Sequence, residues 1–378
     1  MHVIVTGGAG FIGSNVAASF LRDGHHVTVF DNMHRHGSER NLAWLHSLPQ
    51  AAGLRFVEGD VRQVELVRSV IGARDVHLVF HFAAQTAVTT SLVDPRTDLD
   101  INVIGTHNVL EAVRQSGAVV PPMLFFTSTN KVYGALSHRK SDETATRFVF
   151  ADAELATNGI DELEPLDFHS PYGCSKGAAD QYVRDYSRIY GLRTVVFRMS
   201  CIYGPRQFGN EDQGWVAHFM MAVAGDRPLS IYGNGKQVRD LLFIDDLVDA
   251  FRLAALHIES TAGHVYNMGG GPTNTVSIWT ELRPRLEQLA GRQLHVRMHD
   301  WRPGDQPVYV SDTRRAQRDF GWQPRIGVDE GLRRLWQWAQ AVEGAAAVRD
   351  GITHAPKSPR KIGLGLSRPG IALANPSA

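Results

Sequence analysis

Apolar positions fall in short blocks, separated by stretches of helical spacing and closed by glycine or polar residues. His2-Val3-Ile4-Val5 predicts a strand at the start of the chain. A helical pattern from about Ser14 to Arg22 stops near Gly24, and Val27-Thr28-Val29-Phe30 reads as a second strand ending at Asp31. Further strands are expected at Arg55-Phe56-Val57, Leu78-Val79-Phe80-His81-Phe82, Met123-Leu124-Phe125-Phe126 and Arg193-Thr194-Val195-Val196-Phe197-Arg198. Apolar runs without strict alternation suit strands buried on both faces, as in a parallel sheet. A helix is expected from Asp100 to about Gln115, where Ile101, Ile104 and Ala112 keep helical spacing. A longer one starts at Ser170-Pro171, with serine as cap and proline in the first turn, and stops at Gly191. Strand–helix alternation of this kind predicts an α/β fold with a doubly wound parallel sheet.

The first crossover carries Thr6-Gly7-Gly8-Ala9-Gly10-Phe11-Ile12-Gly13, which satisfies GxGxxG from Gly8 and GxxGxxG from Gly7. Glycines there allow a tight turn and close approach of backbone N–H groups to a pyrophosphate, beside a helix N-terminus. Alone the motif is weak. Here strand, turn, helix, second strand and terminal acid follow in the required order, so a Rossmann-type dinucleotide site is expected. Gly7, Gly10, Phe11, Ile12 and Gly13 are its pyrophosphate candidates. Asp31, with Asn32, is placed to take the adenosine ribose. Its charge would repel a 2′-phosphate and so favours NAD over NADP, although Arg35 is close enough in sequence to leave NADP open. Asp60 and Val61 are candidates for the adenine, and Asp60 reads equally well as a helix N-cap. Ala83 and Ala84 are small enough to let backbone pass under the cofactor, with Gln85 following. Asn102, polar on a largely apolar helix, either holds backbone near the site or caps.

Beyond the strand at 193–198 the pattern loosens. We expect a dinucleotide-binding domain over 1–198 with return segments at about 236–267, and a smaller, discontinuous substrate domain over 199–235 and 268–342. Residues 135–169 lack periodicity and read as a substrate-side loop with a short helix. Residues 343–378, rich in Ala, Gly, Pro, Lys and Arg, read as a disordered tail.

Zero formal net charge gives no support to nucleic-acid or anionic-membrane binding. No apolar run approaches the roughly 20 residues of a spanning helix. The 2 cysteines, Cys174 and Cys201, make no disulfide framework and suit a reducing, cytoplasmic setting. Despite 17 histidines no CxxC pair appears, and no metal site is expected.

The chemistry concentrates at Ser128-Thr129-Asn130-Lys131-Val132-Tyr133-Gly134 and at Tyr172-Gly173-Cys174-Ser175-Lys176. The first follows an apolar strand, and open α/β sheets bind ligands at the carboxyl ends of their strands. The second places Tyr172 and Lys176 one turn apart on one helix face. Tyr172 is the candidate base, although a free phenol, with pKa about 10, is a poor one near neutrality. Lys176 and a cationic nicotinamide would lower it. Thr129 is placed to hydrogen-bond the reacting hydroxyl.

Thr6–Gly13, Ser128–Gly134 and the Tyr172/Lys176 pair together resemble the extended short-chain dehydrogenase/reductase superfamily of nucleotide-sugar epimerases and dehydratases. A narrower resemblance is to the CDP-paratose (CDP-tyvelose) 2-epimerases. It rests on Ser128–Gly134, Leu166–Tyr182, Arg206-Gln207-Phe208, Asp212–Val216 and Gly233–Asp240. These resemblances imply an NAD-dependent epimerase acting at C2 of a CDP-linked deoxyhexose through a 2-keto sugar, with Lys176 also on the nicotinamide ribose. Gln85, Thr129, Arg206 and Gln207 would meet the substrate, and Asn130 and Lys131 would hold sugar hydroxyls or polarise the ketone. Arg239 and Arg302 are diphosphate candidates by guanidinium geometry, and Asp305 a nucleotide-ribose candidate. Surface salt bridges are the plain alternative for Arg302 and Asp305. dTDP-glucose 4,6-dehydratases carry Thr-Asp-Glu where this chain has Thr129-Asn130-Lys131, so it departs from the dehydratase pattern at the decisive acids. Other readings are a 4-epimerase, dehydratase or decarboxylase of the superfamily, or a non-catalytic NAD-sensing scaffold, although such scaffolds often lose the Tyr/Lys pair. The helices after Asp100 and Pro171 resemble those of a four-helix dimer interface and imply a homodimer.

Overall fold

The structure is a computed structural model describing residues 1–302 and 305–349. Strands β1 (His2–Thr6), β2 (His26–Asp31), β3 (Leu54–Glu58), β4 (Val76–His81), β5 (Met123–Thr129), β6 (Thr194–Met199) and β7 (Val265–Met268) form the central sheet. Their order is β7-β6-β5-β4-β1-β2-β3, and every neighbouring pair is parallel. Alternation along each strand serves two cores. Val3, Val5 and Phe125 enter one with Val16, Phe20 and Phe251. Ile4, Leu124 and Phe126 enter the other with Val109, Val113 and Val183. Each such buried side chain contributes about 1.5–3 kcal/mol, so the sheet is covered on both faces.

The strand order reverses between β1 and β4, and a crevice opens there at their carboxyl ends. The turns that follow these strands touch backbone to backbone: a Cβ on Gly7, whose φ is +67°, would lie 2.7 Å from Ala83 N. The first helix starts at Phe11, earlier than the apolar spacing from Ser14 predicts, which sets its N-terminus directly on the glycine turn.

The helix Ser170–Tyr190 ends at Gly191, in the left-handed region. At its start His169 makes no capping side-chain bond. Ser170 Oγ instead accepts from Gly173 N at 3.3 Å. The helix expected from Asp100 is preceded by Pro95–Leu99 and opens as a π turn over Asp100–Ile104 before continuing as Gly105–Arg114. A Cβ on Gly105 would lie 2.6 Å from Val61 Cγ2, so this segment passes close beneath β3's following turn.

Two expectations are corrected. Val238–Phe243 does not return to the central sheet. The chain leaves β6 at Ser200, and Cys201–Tyr203 templates a second sheet. Val238–Phe243 pairs there with Cys201–Tyr203 and Val308–Tyr309 in parallel and with Thr275–Ser277 antiparallel. Only helix Ile244–Leu256 and β7 rejoin the main layer. The segment read as a tail from 343 begins inside helix Val328–Arg349, whose Leu332, Leu335 and Ala339 are buried. Residues 350–378 lie outside the described residues. The 135–169 stretch also carries a hairpin, Ser141–Glu143 with Phe148–Phe150, besides its helix Ala153–Asn158. Among the described residues no helix is long and apolar enough to cross a membrane.

Candidate active site

A cleft of about 640 Å³ follows the crevice. At one end it is lined by Gly7, Gly10, Phe11, Ile12 and Gly13 from the glycine turn. Asp31 and Asn32 follow at the end of β2, and Asp60 and Val61 after β3. Ala83, Ala84 and Gln85 line it after β4. At the other end stand Thr129, Tyr172 and Lys176, and Arg206 and Gln207 close one wall.

The glycine turn passes a direct test of fit to a dinucleotide. A Cβ on Gly13 would lie 2.2 Å from Gly7 O, so this glycine is required by the turn itself. A Cβ on Gly10 would meet only Gly7 O, at 3.1 Å, and otherwise project into the cleft. Packing therefore does not explain glycine at position 10, whereas close approach of a ligand to the backbone does. Asp31 is buried, which pushes its carboxyl pKa up, and backbone bonds from Met33, Ala9 and Gly10 oppose the shift. Its two oxygens accept from Ala9 N and Met33 N, both at 2.9 Å. Asn32 donates to Asp60 Oδ2 at 2.9 Å. The Arg62 hydrogen bond holds the Asp60 carboxyl down at about 2.

At that other end, β5 runs through Thr129, whose side chain hydrogen-bonds Tyr172 of helix Ser170–Tyr190. Burial pushes the Tyr172 phenol up to about 12, opposed by a hydrogen bond with Thr129 and by the charge of Arg35, and reinforced by Asp98. Lys176 lies one turn further along the same helix. Its Nζ lies over the Phe126 ring, 4.1 Å from the centroid, and burial lowers it to about 7 against the pull of Asp180 and Asp98.

Several candidates lie off the cleft wall. Asn102 sits in the π turn. Its Oδ1 accepts from Gln85 N at 3.0 Å, and its Nδ2 donates to Gln85 O at 3.1 Å and Ser175 Oγ at 3.0 Å. It ties the turn after β4 to the Tyr172 helix. Asn130 is buried and accepts from Thr129 Oγ1 at 3.4 Å. Lys131 is lowered by burial, with Arg239 lowering it further and Asp305 and Cys201 opposing. Arg239 donates to Asp305 Oδ1 at 2.6 Å, so these two candidates meet as a pair. Arg302 stacks 4.1 Å from the Tyr232 ring centroid and approaches Asp212 at 3.5 Å. Arg206, at φ +74°, lies over the Trp44 ring at 4.2 Å, and its carbonyl accepts from Asn41, which also bonds Ala9 O. Arg206, unlike these, is on the cleft wall, and these bonds place it beside the glycine turn.

Sequence reasoning assigned no role to Ser128, Asp98 or Thr86. Ser128 is among the residues lining the cleft, and its hydroxyl is buried without a hydrogen-bond partner. It lay within the singled-out stretch, and only the observed strand end distinguishes it. Asp98 contacts the Gln85 amide at 3.0 Å and had no sequence signature. His81, buried on β4, bonds Thr6 Oγ1 at 2.7 Å and Thr106 Oγ1 at 3.0 Å. Among the described residues no group of three His, Cys, Asp or Glu could hold a metal ion.

The family model described as GDP-mannose 4,6 dehydratase matches residues 4–335. The chain belongs to this family. Family and fold agree with the extended short-chain dehydrogenase/reductase motifs. The CDP-paratose 2-epimerase of Salmonella typhi is 42% identical over 347 residues, covering 90% of this chain and 100% of that protein. A dTDP-glucose 4,6-dehydratase from Streptomyces venezuelae, solved with NAD bound, superposes with TM-score 0.76 at 29% identity, covering 91% of this chain and 98% of that one. The UDP-glucose 4-epimerase of Thermus thermophilus, in complex with NAD, gives TM-score 0.72 at 32% identity, covering 90% and 99%.

Proposed function

We propose that this protein is a CDP-paratose 2-epimerase, an NAD-dependent isomerase that interconverts CDP-paratose and CDP-tyvelose. The observation that carries the reading is the 42% identity to a CDP-paratose 2-epimerase across 100% of that relative's length. The chain also bears Asn130 and Lys131 where the dehydratase pattern needs two acids, so it lacks groups to eliminate water.

NAD is the cofactor, held by Gly7, Gly10, Phe11, Ile12 and Gly13 at its diphosphate, with Asp31 and Asn32 at the adenosine ribose and Asp60 and Val61 at the adenine. Ala83, Ala84 and Gln85 underlie it, and Asn102 holds that turn in place. Bound there, NAD would supply a reversible hydride acceptor for the sugar, which would leave the net reaction redox-neutral. Tyr172, as phenolate, accepts the C2 hydroxyl proton and later gives it back. Thr129 aims the reacting oxygen, and Lys176 holds the nicotinamide ribose. Ser128, with its unpartnered hydroxyl, is a further donor at the same strand end. Arg239, Asp305 and Arg302 retain the CDP handle while the 2-keto sugar presents its other face. Arg206 and Gln207 wall the substrate in, with Asn130 and Lys131 behind Thr129.

The same reading includes a homodimer. The short helices before Gly105 pack on helix Ser170–Tyr190. They expose Leu92, Val93, Leu99 and Ile104, and the long helix exposes Tyr182, Ile189 and Tyr190. A second copy of this chain is the occupant that would cover these side chains. The cell compartment in the same reading is the cytoplasm.

Purified protein incubated with CDP-paratose should yield CDP-tyvelose by NMR, with C2 deuterium retained in the product. No turnover there, together with turnover of a UDP- or dTDP-sugar, would reject the substrate.

A further inference from the structure

Residues 204–214 join strand Cys201–Tyr203 of the second sheet to helix Trp215–Ala224, and Arg206, Gln207, Phe208 and Gln213 line the cleft on the way. The segment is fastened to the cofactor side at successive points. Asn15 Nδ2, in the first helix, donates to Pro205 O at 3.2 Å. Asn41 Nδ2 donates to Arg206 O at 3.2 Å and to Ala9 O of the glycine turn at 3.0 Å. Both acceptors are carbonyls, so chemistry fixes which way this buried amide faces. The Phe208 ring seats against the loop after β2: a Cβ on Gly37, at φ +88°, would lie 2.2 Å from Phe208 Cδ2. Thr86, in the turn after β4, donates its hydroxyl to Gln213 Oε1 at 2.6 Å. A hydroxyl has one proton, so its oxygen is left to accept from Arg35 Nη1, at 2.8 Å. One segment from the second sheet thus grips the glycine turn, the loop after β2 and the turn after β4, which line the cofactor end of the cleft.

We propose that residues 204–214 are a strap over the cofactor, fastened by Asn41, Phe208 and Gln213, so that NAD enters or leaves only when the strap lifts. The inference rests on the glycine turn as the NAD site. It also gives the epimerase reading something that reading needs: a strap that keeps the cofactor in place through both hydride transfers suits a redox-neutral cycle. The fastenings are unequal. Asn41 and Phe208 are buried. Thr86 and Gln213 are half-buried, and Gln213 stands next to Gly214, whose φ is +74°. The Thr86–Gln213 bond is therefore the fastening that releases most readily, and the strap lifts from that end.

The test follows NAD on the full-length holoprotein and needs no sugar. NAD-loaded protein is chased with excess isotope-labelled NAD and sampled by gel filtration, and the Kd for NAD is measured by calorimetric titration. Gln213→Leu and Thr86→Val each remove the bond between strap and turn with little change of shape. Each should speed NAD exchange about two- to tenfold, the weight of one net hydrogen bond in the opening equilibrium, and should change the Kd by less than that factor, because entry is released together with exit. The double variant should exchange no faster than Thr86→Val, since the same bond is lost. Gln213→Glu keeps an acceptor for the Thr86 hydroxyl and should exchange no faster than the wild type. Phe208→Ala removes the seated ring and should speed exchange more than Gln213→Leu does. Wild-type exchange in Gln213→Leu and Thr86→Val, or in whichever of them folds, overturns the proposal. So does a Kd that weakens by the full factor gained in exchange, which would make these side chains ordinary NAD contacts. Failure of the CDP-sugar reading would show in turnover alone and would leave these rates as stated.

Discussion

Gly10→Ala and Gly13→Ala separate what the glycine turn does for the fold from what it does for a ligand. Gly10 has φ −73° and ψ −179°, a conformation open to alanine. The added Cβ would meet only Gly7 O, at 3.1 Å, which costs a few tenths of an ångström of adjustment. Losing glycine's freedom in the unfolded chain returns about 0.4–1 kcal/mol. Stability of the NAD-free protein should therefore change by less than about 1 kcal/mol. The same methyl projects into the cleft, where it would displace a phosphate from backbone N–H groups. A lost charge-assisted hydrogen bond costs about 1.5–3 kcal/mol, or roughly tenfold to 150-fold in the Kd for NAD. At Gly13 the Cβ would sit 2.2 Å from Gly7 O and 2.7 Å from Gly8 Cα, both backbone atoms that cannot swing away. Overpacking there should cost at least about 1–3 kcal/mol of stability and NAD binding with it. Calorimetric melting of NAD-stripped protein and calorimetric NAD titration read both quantities. If Gly10→Ala binds NAD like the wild type, or melts as early as Gly13→Ala, the assignment of Gly10 to close ligand approach is wrong.

Tyr172→Phe keeps the ring and removes the proton acceptor, so turnover should fall by about 10²–10⁴-fold while NAD stays bound, as absorbance of the purified protein will report. Lys176, lowered in the folded protein to about 7 from an ordinary 10.5, binds fewer protons folded than unfolded between those values. Stability should accordingly rise with pH across about 7 to 10.5, and the charged amine should cost a few kcal/mol below that window. Lys176→Met should flatten this rise in chemical denaturation of NAD-free protein while abolishing turnover; an unchanged slope would contradict the buried-amine assignment. Ile189→Glu, on the exposed side of helix Ser170–Tyr190, should convert a dimer to a monomer in sedimentation at micromolar concentration, and a wild-type protein that is already monomeric would remove the dimer proposal.

Much of the central sheet is legible in the sequence because its rules are local. The blocks at Val3–Val5, Val27–Phe30 and Met123–Phe126 predict strands buried on both faces, and side-chain alternation does send Val3 and Ile4 to opposite cores. The glycine turn, Asp31 and the Gly191 stop are likewise set by what a few neighbouring residues can adopt. Tyr172 and Lys176 share a helix face by spacing alone. Their electrostatics do not follow from it, since Phe126 and Asp98 come from elsewhere in the chain and burial shifts both groups. The membership of Val238–Phe243 in a second sheet was illegible for the same reason. An apolar strand specifies that it will pair, and the free edge offered by Cys201–Tyr203 decided with which partner. The Arg239–Asp305 pair and the Arg35–Thr86–Gln213 chain join residues with no shared local pattern. Backbone dihedrals and burial periodicity are written into neighbouring residues, whereas a charge's partner and a strand's edge exist only once distant segments have packed.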